Sequence, residues 1–321
     1  MLVIRNRAQS ILFDFCKETY TDGVVLLPIS TCDILPITYK KLGIPFEFVD
    51  MNEKSLSMDL DLIEKRLHSG PPVWAVHYVY NLGFDSFEAT ERLDKIKENY
   101  NVILIEDRCL CRPKIDSSPD PKADISLYST GYGKYIDIGG GFAWLQDQWK
   151  EKFIMNKLTF IDSDLTNMKK EIQDCIREKR EFREEFAKTN WLESNSIFNQ
   201  TDYIDNVKKI CKKMDLHKAE INCHYRQNLP KEILVGQEFE NWRFQIRTNK
   251  TDEILQSLFE NGYFASKHYR PLVPMFSKNE FPCAMHIWNT TVNLFNDFHY
   301  TVEMADRTAE IIREVLDKST I

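Results

Sequence analysis

Two neighbouring stretches, "NVILIEDRC" (101–109) and "DISLYSTGYGKYIDIGGGFAWL" (124–145), decide how this chain is read. The first runs from Val102 to Ile105 without a polar break and ends on two acids, Glu106 and Asp107. An unbroken apolar run suits a strand buried on both faces, as parallel strands covered by helices are. The second is another short strand pattern, followed by a glycine-rich turn with one lysine, Lys134, then Gly139–Gly141 and "GFAWL". Working outward, "GVVLLP" (23–28) and "PPVWAVHYVY" (71–80) repeat the buried-strand pattern, and "PFEFVDM" (45–51) alternates like a strand. Amphipathic segments at 7–20, 32–43, 59–70 and 86–100 fall between them; Gly43 and Gly70 serve as stops and Ser86 as an N-cap. Strands alternating with helices imply right-handed crossovers and a three-layer α/β/α fold with a mainly parallel sheet. Ligands of such sheets bind beyond the strands' C-terminal ends. That rule points to Pro28–Cys32, His77–Asn81, Glu106–Asp107 and Ser129–Lys134.

The 321 residues exceed the usual single-domain size. From about 147 to 229 the chain is strongly helical and charged. After Pro230, "NWRFQIRT" reads as a strand, "TDEILQSLFENG" as a helix and "YTVEMADRTAEIIREVL" as a terminal helix, a smaller α+β unit. The expected division is 1–205 for a large domain and 206–321 for a small C-terminal domain with a bridging helix. A net charge of −7 gives no basic footprint for nucleic acid. "KKICKK" (208–213) suits a solvated helix face. No window approaches ~18 uninterrupted apolar residues, so no membrane span is expected. Eight scattered cysteines with no CxxC pair point to reduced thiols in a cytoplasmic protein, without a zinc site.

Asp107 closes a strand of buried residue types. One reading has Glu106 or Asp107 capping the next segment; the other holds a carboxylate against a cationic ligand group. Lys134 follows glycines 131 and 133, which permit positive φ and close backbone approach. A lysine there is a surface lysine, or an amine desolvated so that its pKa falls and it can attack a carbonyl. A phosphate would want N–H groups at a helix N-terminus and a hydroxyl; the start of the 7–20 helix and Ser129 could supply them.

The order "LPISTC…VHYVYNLG…IEDRCL…STGYGKYIDIGGG…NWRFQIR…HYRPL" resembles the DegT/StrS family of nucleotide-sugar aminotransferases, enzymes of the type I fold that depend on pyridoxal 5′-phosphate (PLP). The likeness covers nearly the whole chain and is weakest from about 147 to 230. It implies that Lys134 holds PLP as a Schiff base and that Asp107 pairs with the pyridine nitrogen. Ser129 would contact the phosphate together with the backbone of Arg7 and Ala8. Cys32 would stand where an aromatic residue commonly covers the ring, and His77 is placed either on the pocket wall or as a structural histidine. The implied reaction takes an amino group from an amino-acid donor, usually glutamate, and passes it to a nucleotide-linked keto-sugar. The implied assembly is a homodimer.

The chain departs from the family in several places. Leu110 occupies a position that is usually Gln or His. Asn6 stands where glycine is usual, a change suited to left-handed backbone. No Gly-x-Asn-x-Arg segment is present, which leaves Asn195 and Asn199 as substitutes for its asparagine. His268 resembles a position near the site's mouth. Arg243 and Arg247 read as strand-face charges, with the alternative that one binds a donor carboxylate. Two further readings stay open: a different PLP reaction or non-sugar substrate, and a non-catalytic member that binds PLP or a sugar nucleotide.

Overall fold

The computed structural model describes residues 1–193 and 199–318. Its strands are β1 (Leu2–Arg5), β2 (Val24–Pro28), β3 (Phe46–Val49), β4 (Met51–Asn52), β5 (Ser57–Met58), β6 (Val73–Val79), β7 (Ile103–Asp107), β8 (Ile125–Ser129), β9 (Gly141–Leu145), β10 (Phe244–Arg247), β11 (Ala265–Lys267) and β12 (Thr291–Leu294). The α-helices are α1 (Ala8–Thr19), α2 (Ile34–Leu42), α3 (Leu60–Leu67), α4 (Phe87–Tyr100), α5 (Asp162–Glu178), α6 (Gln200–Asn228), α7 (Thr251–Glu260), α8 (Pro282–Thr290) and α9 (Val302–Asp317).

The large sheet runs β1-β9-β8-β7-β6-β2-β3. Its strands from β8 to β3 are mutually parallel, while β9 lies antiparallel between β8 and β1. The mainly parallel α/β architecture expected from the sequence is therefore present. The edge strand β1 is an addition to the strands expected from the sequence. Period-two alternation sorts the side chains between two cores. Leu26, Val76 and Leu104 face α3, α4 and the first half of α6, whereas Val25, Leu27, Ala75 and Ile105 face α1 and α2. Each fully buried aliphatic contributes roughly 1.5–3 kcal/mol of transfer free energy, which is why both faces need a helical cover.

A further layer lies over α1 and α2. Met168, Ile172 and Cys175 of α5, with Phe182 and Trp191 beyond it, pack on Phe13 and Ile37. The three-stranded sheet β10-β12-β11 packs with α7 and α9 at the C-terminal end. Helix α6 passes unbroken through residue 205 and serves both units: Tyr203, Val207, Cys211 and Met214 pack on the large sheet, Ile221 and Tyr225 on the small one. No described helix is long and apolar enough to cross a membrane.

The triple glycine has a separate reason at each position. Gly139 and Gly140 take φ of +74° and +85°, in the left-handed region. Gly141 starts β9 against the first turn of α1, where a Cβ would lie 2.5 Å from the Ala8 nitrogen. Substitution Gly141→Ala should push β9 and α1 apart and cost about 1–3 kcal/mol in a urea-unfolding measurement.

Candidate active site

Alternation along β7 sends its two terminal acids to opposite faces of the sheet. Glu106 turns toward the α4 side and is fully buried there, accepting from Arg108 (2.6 and 2.9 Å), Ser126 (2.7 Å) and Tyr80 (2.5 Å). Asp107 turns to the other side. One of its oxygens accepts the Cys109 backbone N–H at 2.9 Å, so it does cap the following turn. The other lies 3.7 Å from Nε2 of His77. Burial opposes the Asp107 charge, but the contacts with His77 and Cys109 outweigh it and hold the carboxyl below its ordinary pKa.

His77 does not line the cavity. It is fully buried behind Asp107, with Nδ1 2.8 Å from the Tyr39 hydroxyl. Burial drives the Tyr39 pKa well up, so the phenol that faces Nδ1 stays protonated. The sequence left His77 between wall and structural histidine; its place is a support for Asp107.

Lys134 follows a turn closed by its own N–H to the Gly131 carbonyl (3.2 Å), with Gly133 at φ +71°. The arms of this hairpin are joined by Thr130 N–H to Gly140 O (3.0 Å) and Ile138 N–H to Thr130 O (2.9 Å). Lys134, Asp107, Ser129, Cys32, Cys109, Arg7 and Ala8 all line one cavity of about 700 Å³. The Lys134 pKa is raised, contrary to the depressed value expected for an attacking amine. Burial is the largest influence and lowers it, but Tyr269, Cys109, Cys32 and Asp107 together overcome that. Burial itself holds Tyr269 and Cys109 protonated at neutral pH and pushes Cys32 up to about 12. Of these four groups Asp107 is the carboxylate, and its pull on Lys134 is the weakest of the four.

The third corner of the cavity is the start of α1. Arg7 is its N-cap residue, but no side chain caps the helix and its first turn carries no acid. The first N–H groups there lack intrahelical partners. Ser129 Oγ accepts the Gly131 N–H at 3.4 Å, which leaves its hydroxyl proton free to donate. Asn6 is not in the left-handed region; its side chain instead donates to Glu193 at 2.9 Å.

Other sequence expectations shift. Leu110 is buried and absent from the wall; Cys109, two residues after Asp107, lines it instead. Asn199 caps α6 by accepting the Thr201 N–H at 3.1 Å, and Asn195 lies outside the described residues. Arg243 is no strand-face charge. It is 3% exposed, 3.1 Å from Asp297 and stacked 4.0 Å from the Phe295 ring. Arg247 stays half-buried, donating to Thr290 Oγ1 at 3.2 Å. Nothing in the residue pattern marked α5 as a wall, yet Leu165, Met168, Lys169, Ile172, Gln173 and Ile176, a stripe at helical spacing, all line the cavity. Among the described residues, no His, Cys, Asp and Glu group could hold a metal.

An adjoining cavity of about 380 Å³ shares Cys32, Asp33 and Ile176 and carries Thr31, Trp242, His268 and Tyr269. His268 is 5% exposed, and neither ring nitrogen has a hydrogen-bond partner.

Whole-chain comparison places this geometry. The sequence matches no protein-family model and no curated protein. Solved structures do match in fold. DesV from S. venezuelae, in complex with a ketimine intermediate, superposes with a TM-score of 0.72 at 15% identity, covering 98% of this chain and 84% of DesV. This is the fold of the sugar aminotransferases. Spr1654 from Streptococcus pneumoniae, assigned as a sugar aminotransferase and solved in its PMP form, gives 0.71 at 17% identity over 99% and 88% of the two chains. A DegT DnrJ EryC1 StrS aminotransferase from Brucella abortus gives 0.69 at 14%, over 98% and 85%.

Burial alone holds the His268 pKa down to about 3. The unfolded chain takes up that proton near the ordinary histidine value, the folded chain only near 3. Stability is therefore lost as pH falls through this window, by up to about 1.4 kcal/mol per unit. His268→Asn removes the titration, and its urea midpoint should fall less steeply than the wild type's between about pH 6 and 4.

Proposed function

We propose that this chain is a PLP-dependent aminotransferase that takes an amino group from an amino-acid donor, glutamate by the family resemblance, and delivers it to a nucleotide-linked keto-sugar. The observation that carries the reading is one cavity holding three things: a lysine, a carboxylate kept ionised from behind, and an uncapped helix N-terminus beside a serine hydroxyl. The donor set fits the cofactor. Its phosphate matches the Ala8 end of α1 with Ser129, its pyridinium nitrogen matches Asp107, and its carbonyl matches Lys134. The Arg7 side chain points to a different task, lying 3.6 Å from Glu193, so its part would be confined to the backbone. Cys32 contributes a neutral thiol to the wall, and His77 acts through Asp107.

When bound, PLP supplies an electron sink for the carbanion at the substrate's α-carbon. The protein's part is charge and proton control. Asp107 is one of the groups that favour the charged form of Lys134, until a cationic ligand group engages that carboxylate. Once it does, the pull on Lys134 weakens and burial, the largest influence on this amine, favours its neutral form. Neutral Lys134 could condense with a carbonyl, losing water, and once an incoming amine had displaced it, the freed lysine could take a proton from that amine's α-carbon. The α5 stripe forms part of the cavity wall.

The same reading includes a homodimer in the cytoplasm, without nucleic acid or membrane as partner. Ile154, Met155 and Ile161, exposed at 56%, 60% and 40% on the approach to α5, offer apolar surface for a second copy. All eight cysteines are free, as a reducing compartment would keep them.

Protein incubated with PLP should show an absorbance band near ~420 nm that borohydride fixes onto Lys134. L-Glutamate should bleach that band toward ~330 nm, and a keto-sugar nucleotide should restore it. Lys134→Ala should fold and lose the band. Retention of the band in that variant, or a band indifferent to every amino acid, would overturn the assignment.

A further inference from the structure

Lys134 sits in a turn that ought to be soft, with glycines at 131 and 133 and the second in left-handed conformation. The peptide joining Gly133 to Lys134 can rotate with little steric resistance, and that rotation would re-aim the lysine. One side-chain donor restrains it: Nε1 of Trp242 donates to the Gly133 carbonyl at 2.8 Å.

Trp242 is itself held from several directions. Its carbonyl accepts from Lys218 Nζ at 2.9 Å, and that amine also donates to Asn296 Oδ1 at 2.6 Å. Its Cβ packs against Gly83, where an added Cβ would approach it to 3.0 Å. Its ring stands edge-on to His268 at 5.8 Å. The other neighbour of the lysine is anchored to the same helix. Tyr135 donates to Asp215 of α6 at 2.7 Å, and its ring lies 5.1 Å below Lys218 Nζ, also on α6. Residues on both sides of Lys134 are therefore tied to α6 and to the segment entering β10, outside the β8–β9 hairpin that carries the lysine.

We propose that Trp242 is a positioning residue for Lys134: its indole N–H locks the Gly133 carbonyl and so sets the direction of the lysine amine. This rests on Lys134 being the residue that takes PLP. The indole touches no reacting atom; it acts through the Gly133–Lys134 peptide. It also links that peptide to the small sheet, since Trp242 leads directly into β10.

The test compares Trp242→Phe, which keeps an aromatic ring but loses the N–H, with Trp242→His, which keeps a ring N–H. In PLP-free protein, amide hydrogen exchange across 131–135 should accelerate about two- to tenfold in the Phe variant, the range expected for loss of one neutral hydrogen bond. Exchange in β7 and β8 should stay unchanged. In the presence of PLP, the rate at which Lys134 becomes fixable by borohydride should fall by a similar factor, with the final yield preserved. The His variant should recover part of both effects. Unchanged exchange at 131–135 in the Phe variant, or acceleration spread evenly over the protein, would overturn the proposal. Failure of wild-type protein to fix PLP on Lys134 would instead sink the functional reading, while the exchange result would still report on the Trp242 lock. Should the Phe variant not fold, the His variant decides: exchange at 131–135 faster than in the wild type by less than tenfold, with β7 and β8 unchanged, supports the lock, and uniform acceleration refutes it.

Discussion

A carboxylate ionised at the end of a buried strand is the constraint on which the rest of this site depends. Asp107 is 8% exposed, and an uncompensated buried charge costs several kcal/mol. The fold compensates with a backbone N–H from Cys109 and an imidazole edge from His77, itself oriented by Tyr39. The carboxylate thereby stays ionised and attracts a cation in the cavity. Lys134 meets that attraction in the protein alone. The neighbouring thiols and phenol cannot compete as anions, because burial keeps them protonated. The result is a carboxylate and an amine, Asp107 and Lys134, brought into one cavity.

The backbone around that pair is arranged for close approach more than for rigidity. Gly141 lets β9 pass against the α1 N-terminus, and Gly139 and Gly140 turn the hairpin back toward the sheet. The same freedom would leave the lysine poorly directed. Restraint comes from outside the hairpin, through Trp242 on one side and Tyr135 with Asp215 on the other. Local permissiveness and distant restraint are two parts of one solution.

Much of this was legible because it follows from period and strand direction. Unbroken apolar runs identified the parallel strands, and the rule for strand ends brought Asp107, Ser129 and Lys134 to one place. The acid that faces the cavity could not be chosen from residue type; only the register of β7, which sends Glu106 toward Arg108, separates them. Cys109 was visible as a residue, but its place on the wall depends on the turn that Asp107 caps. Lys134's pKa was read in the wrong direction because burial alone was weighed; Tyr269, Cys109, Cys32 and Asp107 together shift the balance. Arg243 looked like a surface charge in "NWRFQIR"; its burial follows from Asp297 and Phe295, about fifty residues away in sequence. The wall function of α5 had no signal at all. Its apolar stripe at i, i+3 and i+4 is what any helix on a core shows.

That last point bears on how the two sides of the cavity are constrained. The sheet side is specified by hydrogen-bond register, where a slip of one residue would exchange Glu106 for Asp107 and abolish the site. The α5 side rests on the packing of Met168, Ile172 and Cys175 against Phe13 and Ile37, which tolerates volume-conserving change. Lys169 and Gln173 stand on the same helix with their side chains in the cavity, free of the sheet's register. Substitution there alters the shape and polarity offered to a substrate without disturbing Asp107 or Lys134. The groups that govern proton transfer are thus held by the least adjustable part of the fold, and the groups that can discriminate between substrates by the most adjustable.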